Sequence, residues 1–238
     1  MQVDILAFGA HPDDVELTSG GTLLRHVAEG RSVAIVDLTR GELGTRGTPE
    51  TRHEEAQAAA RMLRAVAREN LDLGDGFFVN DKTSQLRVVE MVRKYRPQVV
   101  LANSMSDRHP DHGRAAELET AACFLAGLSK IETSLDGKKQ EAWRPKAIYH
   151  YAQHDLFKAS VIIDISDYFE KKLELVKCFK SQFHDPNSSE PQTILTQPRF
   201  MDWIRSRAME YGWHIGVNYG EGFVINREIG ARSFFDLI

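Results

Sequence analysis

Gly9-Ala10-His11-Pro12-Asp13-Asp14-Val15-Glu16 follows directly on the apolar run from Val3 to Phe8. That run is short and rich in β-formers, which predicts a buried strand over residues 3–8. A histidine and two adjacent aspartates therefore sit where a strand ends and a helix begins, the place where α/β proteins bind their ligands. A second cluster, His109-Pro110-Asp111-His112, follows another apolar run, Val99-Val100-Leu101-Ala102. Two acid/imidazole clusters, each at the end of an expected strand, suggest one metal site assembled from two loops.

The rest of the chain alternates in the same way. Leu23, Leu24 and Val27 stand at helical spacing, with Gly30 where a C-terminal cap belongs, and Ala56, Ala59, Ala60, Leu63 and Val66 line one face of a second helix. Helices are expected over 18–29, 50–68, 82–95, 111–128, 168–183 and 199–211. Further strands are expected over 32–38, 71–73, 98–103, 147–151, 161–165 and 222–226. Gly41, Gly44 and Gly47 mark 40–49 as a loop, and 129–144 is polar and irregular. Residues 184–198 hold Pro186, Pro191 and Pro198 and read as a long loop beside the site or a lid over it. This pattern predicts an α/β fold: Rossmann-like, a mostly parallel sheet with helices on both faces, in a single domain over residues 1–238.

Composition narrows the function classes. The chain has 238 residues and a formal net charge of −4, which argues against a nucleic-acid binder. With only two cysteines, Cys123 and Cys178, a disulfide framework is not expected and a reducing cytoplasm fits. Asp4 interrupts the first apolar run and no basic segment precedes it, unlike a signal peptide. No apolar stretch is long enough for a membrane span.

The first cluster disfavours a nucleotide. A Gly-x-Gly-x-x-Gly fingerprint would fall on Gly9, His11 and Asp14, so two required glycines are missing, and Asp13 and Asp14 would repel phosphate. For a metal the same residues are well chosen. His11 and Asp14, three apart at a helix start, face one side and offer zinc-ligand atoms. Asp13 points elsewhere, beside the metal without binding it, which suits a general base acting on water. Glu16 either orients a ligand or favours the helix dipole, and the second reading is preferred. In the second cluster one imidazole completes a His-Asp-His set with an open position, as in catalytic zinc sites, and the other stays free to act on the reacting oxygen or the leaving group. Spacing does not decide which of His109 and His112 is which.

The pairing of Ala-His-Pro-Asp-Asp-Val-Glu (residues 10–16) with His-Pro-Asp-His (109–112) resembles the PIG-L/LmbE-like zinc-dependent N-deacetylases. The likeness extends to Gly41-Glu42-Leu43-Gly44-Thr45-Arg46-Gly47 and to Arg52 with Glu55-Ala56. Val161–Ser166, Lys180-Ser181-Gln182 and Tyr219-Gly220-Glu221-Gly222-Phe223 are most similar to the bacillithiol-pathway branch, which deacetylates N-acetylglucosaminyl-malate. The resemblance implies a Rossmann-like fold, Zn2+ (or Fe2+ or Mn2+ in its place) on His11, Asp14 and His112, and Asp13 as general base. It also implies His109, paired with Asp111, as the helper that holds the oxyanion or protonates the leaving nitrogen. Its partner is a small amino-sugar conjugate, and homo-oligomers occur in the family.

A malate conjugate carries two carboxylates and calls for arginine. Arg52 and Arg108 are the preferred contacts and Arg46 the next, while Gln153, His154, Asp155, His184 and Glu221 are weaker candidates. Trp203 and Trp213 are expected to pack rather than to stack on sugar. Two other readings stand beside this one: a deacetylase of an inositol or oligosaccharide conjugate, and a non-catalytic Rossmann-like module that merely holds a metal.

Overall fold

The computed structural model describes residues 1–183 and 188–237. Among them the chain runs β1 (Ile5–Gly9), α1 (Asp14–Ala28), β2 (Val33–Asp37), α2 (Pro49–Leu63), β3 (Ala67–Asn70), α3 (Lys82–Tyr95), β4 (Val99–Ala102) and α4 (Pro110–Ala126). A small hairpin, β5 (Ser134–Leu135) and β6 (Lys138–Lys139), follows within the segment expected to be irregular. The chain continues through β7 (Ala147–Tyr151), β8 (Val161–Asp164), α5 (Phe169–Val176), α6 (Arg199–Ile215) and β9 (Gly220–Ile225). Seven strands form one sheet in the order β3-β2-β1-β4-β7-β9-β8. The first five are parallel, and β9 runs antiparallel to both β7 and β8. This is the Rossmann-like α/β arrangement that the alternation predicts.

Both faces of the parallel half are covered, which is why β1 and β2 are buried along their whole length and carry apolar residues at nearly every position. Ile5, Ala7, Val33 and Ile35 point to a core shared with α1, α2, α5 and α6. Leu6, Phe8, Ala34 and Val36 point to the opposite core, under α3 and α4. Strand β1 has β2 on one side and β4 on the other, so the chain order reverses beside it. The loops after β1 and β4 therefore open into one crevice, and these are the loops that hold the two acid/imidazole clusters.

Four elements depart from the sequence expectations. Helix α2 stops at Leu63, where Arg64 turns left-handed (φ 61°), and residues 67–70 form β3 upstream of the strand expected at 71–73. The reason is Arg68, which donates to Asp37 Oδ1 and Oδ2 at 2.8 Å each and to Glu16, all three side chains being buried. This ion cluster fixes a charged residue inside the sheet and gives Glu16 a role that is neither ligand orientation nor a simple dipole effect. Helix α5 ends at Val176, short of the expected 183, because the Glu55 carboxylate accepts the Ser181 N–H and Oγ–H at 2.7 Å each and draws the chain into turns. Helix α1 begins at Asp14, a turn earlier than expected, with Asp13 as its N-cap. No helix of the described residues is long and apolar enough to cross a membrane.

Candidate metal and catalytic site

The turn out of β1 places His11, Asp13 and Asp14 below the protein surface. Asp14 Oδ2 accepts the His11 backbone N–H at 2.9 Å and the Asn103 Nδ2–H at 3.3 Å, which locks the carboxylate. The two imidazoles of the expected ligand set flank it: His11 Nδ1 lies 3.6 Å from Asp14 Oδ2, and His112 Nε2 lies 3.4 Å from Asp14 Oδ1. Zinc bonded tetrahedrally to nitrogen and oxygen at its usual lengths would hold neighbouring donor atoms about 3.4 Å apart.

The far nitrogens of both rings face carboxylates. His11 Nε2 meets Asp75 Oδ1 at 3.0 Å and Asp111 Oδ2 at 3.3 Å, and His112 Nδ1 meets Asp107 Oδ1 at 2.9 Å. An ionised carboxylate only accepts, so it takes the ring N–H, and in the neutral ring the other nitrogen's lone pair faces Asp14. Burial works against charge on His112, but Asp14 and Asp107 outweigh it and raise the ring to about 9. Burial likewise opposes the charge on Asp14, and His112 and His11 overcome it, holding the carboxyl well below its usual range.

Asp13 stands apart from this set. Its backbone has φ 126° and ψ −23°, a costly conformation for a residue with a Cβ and one that clusters at functional sites. Burial pushes its carboxyl up to about 7, with Arg52 opposing and Asp14 assisting. Arg52 Nη2 lies 3.5 Å from Asp13 Oδ2 and donates to the Pro12 carbonyl at 2.8 Å, while Nη1 donates to the Gly41 carbonyl at 3.1 Å. Gly41, at φ 66°, gives this guanidinium room: a Cβ there would lie 1.8 Å from Nη1.

His109 does not pair with the Asp111 carboxylate as expected. His109 caps α4, its Nδ1 accepting the Asp111 backbone N–H at 3.3 Å. The Asp111 carboxylate turns instead to His11, to the Gly76 N–H (2.8 Å) and to Arg114 Nη1 (2.7 Å). The physical reason is helical: residues two apart at a helix start do not face each other. The imidazole of His109 nonetheless stays in the cluster, stacked on His112 at 5.0 Å and edge-on to His11 at 4.8 Å. Its Nδ1 lone pair is spent on the backbone, so the neutral ring presents Nε2–H, a donor rather than a metal ligand. Burial, with the neighbouring His11 and His112, lowers its pKa and favours that neutral form.

A profile of the family described as PIG-L, GlcNAc-PI de-N-acetylase, matches residues 6–123, the stretch that contributes both loops. Over 230 residues the chain is 30% identical to the diacetylchitobiose deacetylase of Thermococcus kodakarensis, spanning 92% of this chain and 81% of that protein. The chain belongs to the PIG-L family. The fold of this PIG-L protein matches the crystal structure of the conserved protein TT1542 from Thermus thermophilus with a TM-score of 0.85 and 36% identity, over 97% of each chain. It is also 27% identical over 199 residues to the 4-oxalmesaconate hydratase of Pseudomonas putida, covering 77% of this chain and 75% of that protein.

The cluster of this PIG-L protein opens into a cavity of about 400 Å³ whose other wall is α6, with Phe200, Trp203 and Arg207 on its inner face. Of the three arginines expected to touch substrate, only Arg108 is left to do so: it is exposed on the cavity rim and has no hydrogen bond or ion pair among the described residues. Arg46 reaches the wall, but its N–H groups go to the carbonyls of Ser181 (2.7 Å), Glu190 (3.2 Å) and Pro191 (3.1 Å) and to Ser188 Oγ (2.8 Å). It clasps the glycine loop to residues 188–191. Arg52 is occupied with Asp13 and two carbonyls.

Gln153 and His154 do line the cavity, and Asp155 lies exposed beside them. Gln153 is buried, its Oε1 fixed by the Asn103 side chain and the Ser104 N–H at 3.0 Å each. Glu221 is remote from the cavity; it accepts the α1 backbone N–H groups of Gly21 (3.0 Å) and Thr22 (2.7 Å) and pairs with Lys172 at 2.6 Å. His184 lies outside the described residues. Trp203 packs as expected, nearly parallel to Phe200 and His154, whereas Trp213 is 84% exposed and packs on nothing that buries it.

Sequence reasoning missed Asp75, Asp107, Asn103 and Arg207. Asp75 and Asp107 had a signal, one following the third expected strand and one sitting two residues before His109. Arg207 had none.

Proposed function

We propose that this PIG-L protein is a zinc-dependent hydrolase that removes the acetyl group from an N-acetylglucosamine conjugate, with N-acetylglucosaminyl-malate as its substrate. The observation that carries the reading is Asp13: a buried carboxyl near neutrality, on strained backbone, beside an Asp14 carboxylate flanked by the His11 and His112 imidazoles. A protein that only stored a metal would have no use for that residue. The donor atoms, their spacing and the carboxylates behind both imidazoles suit zinc, held by His11, Asp14 and His112. When bound, zinc supplies Lewis acidity at the acetamide carbonyl.

The chain's own residues do the rest. Asp13 takes a proton from the attacking water, with Arg52 fixing the carboxylate's position. His109 Nε2–H faces the carbonyl oxygen as negative charge grows there. The proton held by Asp13 passes to the amide nitrogen as the C–N bond breaks, leaving acetate and a free amine. A neutral His109 is thus sufficient to hold the oxyanion. Arg108 at the rim is the preferred contact for a malate carboxylate. The cytoplasm suits the chain, both cysteines being free.

The Thermococcus relative supports an acetamido sugar by its name, and the malate conjugate rests on the resemblance of segments 161–166, 180–182 and 219–223. The Pseudomonas relative, a hydratase by name, supports a second reading, the addition of water to an unsaturated acid. Acetate release separates the two. The zinc-loaded protein should release stoichiometric acetate from N-acetylglucosaminyl-malate and lose this activity with a chelator. Absence of acetate from this conjugate, from diacetylchitobiose and from an inositol conjugate would rule out the deacetylase reading.

A further inference from the structure

Among the described residues Arg46, Arg52, Arg68 and Arg93 are buried and held by protein partners, the Nε of Arg52 excepted, whereas Arg207 is half-buried. Arg68 is paired with Asp37 and Glu16, Arg52 with Asp13, and Arg46 with Glu190 and three carbonyl groups. Arg93 has no acid partner but donates to the carbonyls of Ala126, Ile131 and Leu128 and to Thr133 Oγ1, all within 3.0 Å. Arg207 differs from all of these. It stands on the α6 face that closes the cavity, and its one hydrogen bond among the described residues runs from Nη2 to the Ala152 carbonyl at 2.8 Å. It forms no ion pair among the described residues, and its other nitrogens have no protein partner there.

Its orientation is nonetheless fixed. The guanidinium carbon lies 4.6 Å over the Trp203 ring, and Trp203 is stacked on Phe200 at 5.1 Å and on His154 at 5.4 Å. A planar cation seated over one aromatic ring, anchored by one carbonyl and left with other N–H groups unused by the described residues is preorganised for a planar anion. Removing a guanidinium from water without a counter-charge costs free energy, and burial lowers this one to about 10. The cavity is where the compensating charge enters.

We infer that Arg207 is the anion-binding element of this cavity and recognises a carboxylate carried by the substrate beyond its acetamido sugar. The inference rests on the deacetylase reading for the identity of that substrate, but not for the existence of the subsite. Arg46 is excluded from the role because its donors are already used, and Arg52 because both terminal nitrogens are held by Asp13 and two carbonyls and its Nε is buried; Arg108 adds a second cation at the rim.

Glucosaminyl-malate, which has no acetyl group to lose, tests the subsite without turnover. Its affinity for the zinc-loaded protein is compared with that of its neutral dimethyl ester by calorimetry, in wild type, Arg207→Lys and Arg207→Met. The wild type should prefer the diacid at least about tenfold. Arg207→Met should lose most of that preference and Arg207→Lys should keep part of it, with thermal unfolding monitoring the fold of each. A wild type that binds acid and ester equally overturns the proposal even where no variant folds, as does a preference unchanged in a folded Arg207→Met. Loss of acetate inhibition with the acid preference intact assigns Arg207 to the departing acetate instead, and also overturns it. Absence of acetate release from N-acetylglucosaminyl-malate, diacetylchitobiose and an inositol conjugate alike, with the binding preference present and sensitive to Arg207, removes the deacetylase reading and leaves the subsite.

Discussion

Two buried charge clusters lie at the C-terminal ends of the parallel strands, and they are built on opposite plans. Behind the crevice, Arg68 meets Asp37 through two parallel hydrogen bonds and Glu16 through a third, and the three side chains close on one another. In the crevice, five carboxylates (Asp13, Asp14, Asp75, Asp107 and Asp111) share two guanidiniums, those of Arg52 and Arg114, and otherwise converge on imidazoles. The first cluster sets one cation against two carboxyls and serves the fold. The second, once its imidazoles are neutral as metal ligands must be, sets five carboxyls against two guanidiniums, an excess that a bound cation offsets. Burial and ionisable residues are common to both. What marks the functional cluster is how far its charges fall short of balance within the protein.

The comparison predicts separable phenotypes. The largest concerns catalysis in the open cluster. Asp13→Asn should lower kcat by about 10²–10⁴ while the protein still binds zinc, as judged by metal content alongside acetate release. An equal loss of zinc would make Asp13 a ligand rather than a base. Next in size is the closed cluster: Arg68→Met leaves Asp37 and Glu16 buried without a cation and should cost about 3–5 kcal/mol in chemical denaturation, with zinc affinity retained. Unchanged stability would mean that the cluster is no structural anchor.

Asp75→Asn weakens the acceptor that holds His11 Nε2–H and should reduce zinc affinity about 10- to 100-fold, with a much smaller effect on unfolding. The smallest effect is a slope. Burial raises the Glu119 carboxyl from 4.5 to about 8, the Asn103 N–H only partly offsetting it. Between those values the folded protein keeps a proton that the unfolded chain releases, so stability falls as pH rises. Metal-free Glu119→Gln should lack this component, on the order of 1 kcal/mol per pH unit, in denaturation curves recorded across that window. Identical slopes would show that Glu119 ionises normally in the fold.

Much of this was legible in the sequence, for reasons that also explain what was not. Strands β1, β2 and β4 are buried on both faces and announce themselves as apolar runs. The two clusters follow such runs directly, so chain proximity substitutes for spatial proximity. Strand β3 was misplaced because its Ala-Arg-Glu-Asn sequence (residues 67–70) shows no apolar pattern; its place in the sheet depends on the ion cluster of Arg68, a tertiary event. The end of α5 was overrun because Phe179 and Phe183 continue a helical spacing that the remote Glu55 interrupts. Arg46 and Arg52 read as substrate contacts because their loops border the site, but sequence does not reveal that carbonyls of residues 41, 12, 181, 190 and 191 already occupy them. Arg207 was invisible because only the docking of α6 across the cavity brings it there.

The contrast between open and closed clusters is tested most directly by titrating the metal-free protein with zinc, in wild type and in His112→Ala, at one fixed pH. One zinc per chain, bound tightly by wild type and lost or greatly weakened in His112→Ala, is the predicted result. Failure of the wild type to take up a divalent metal, or undiminished uptake after His112→Ala, would contradict the claim that these unbalanced carboxylates and imidazoles form a metal site.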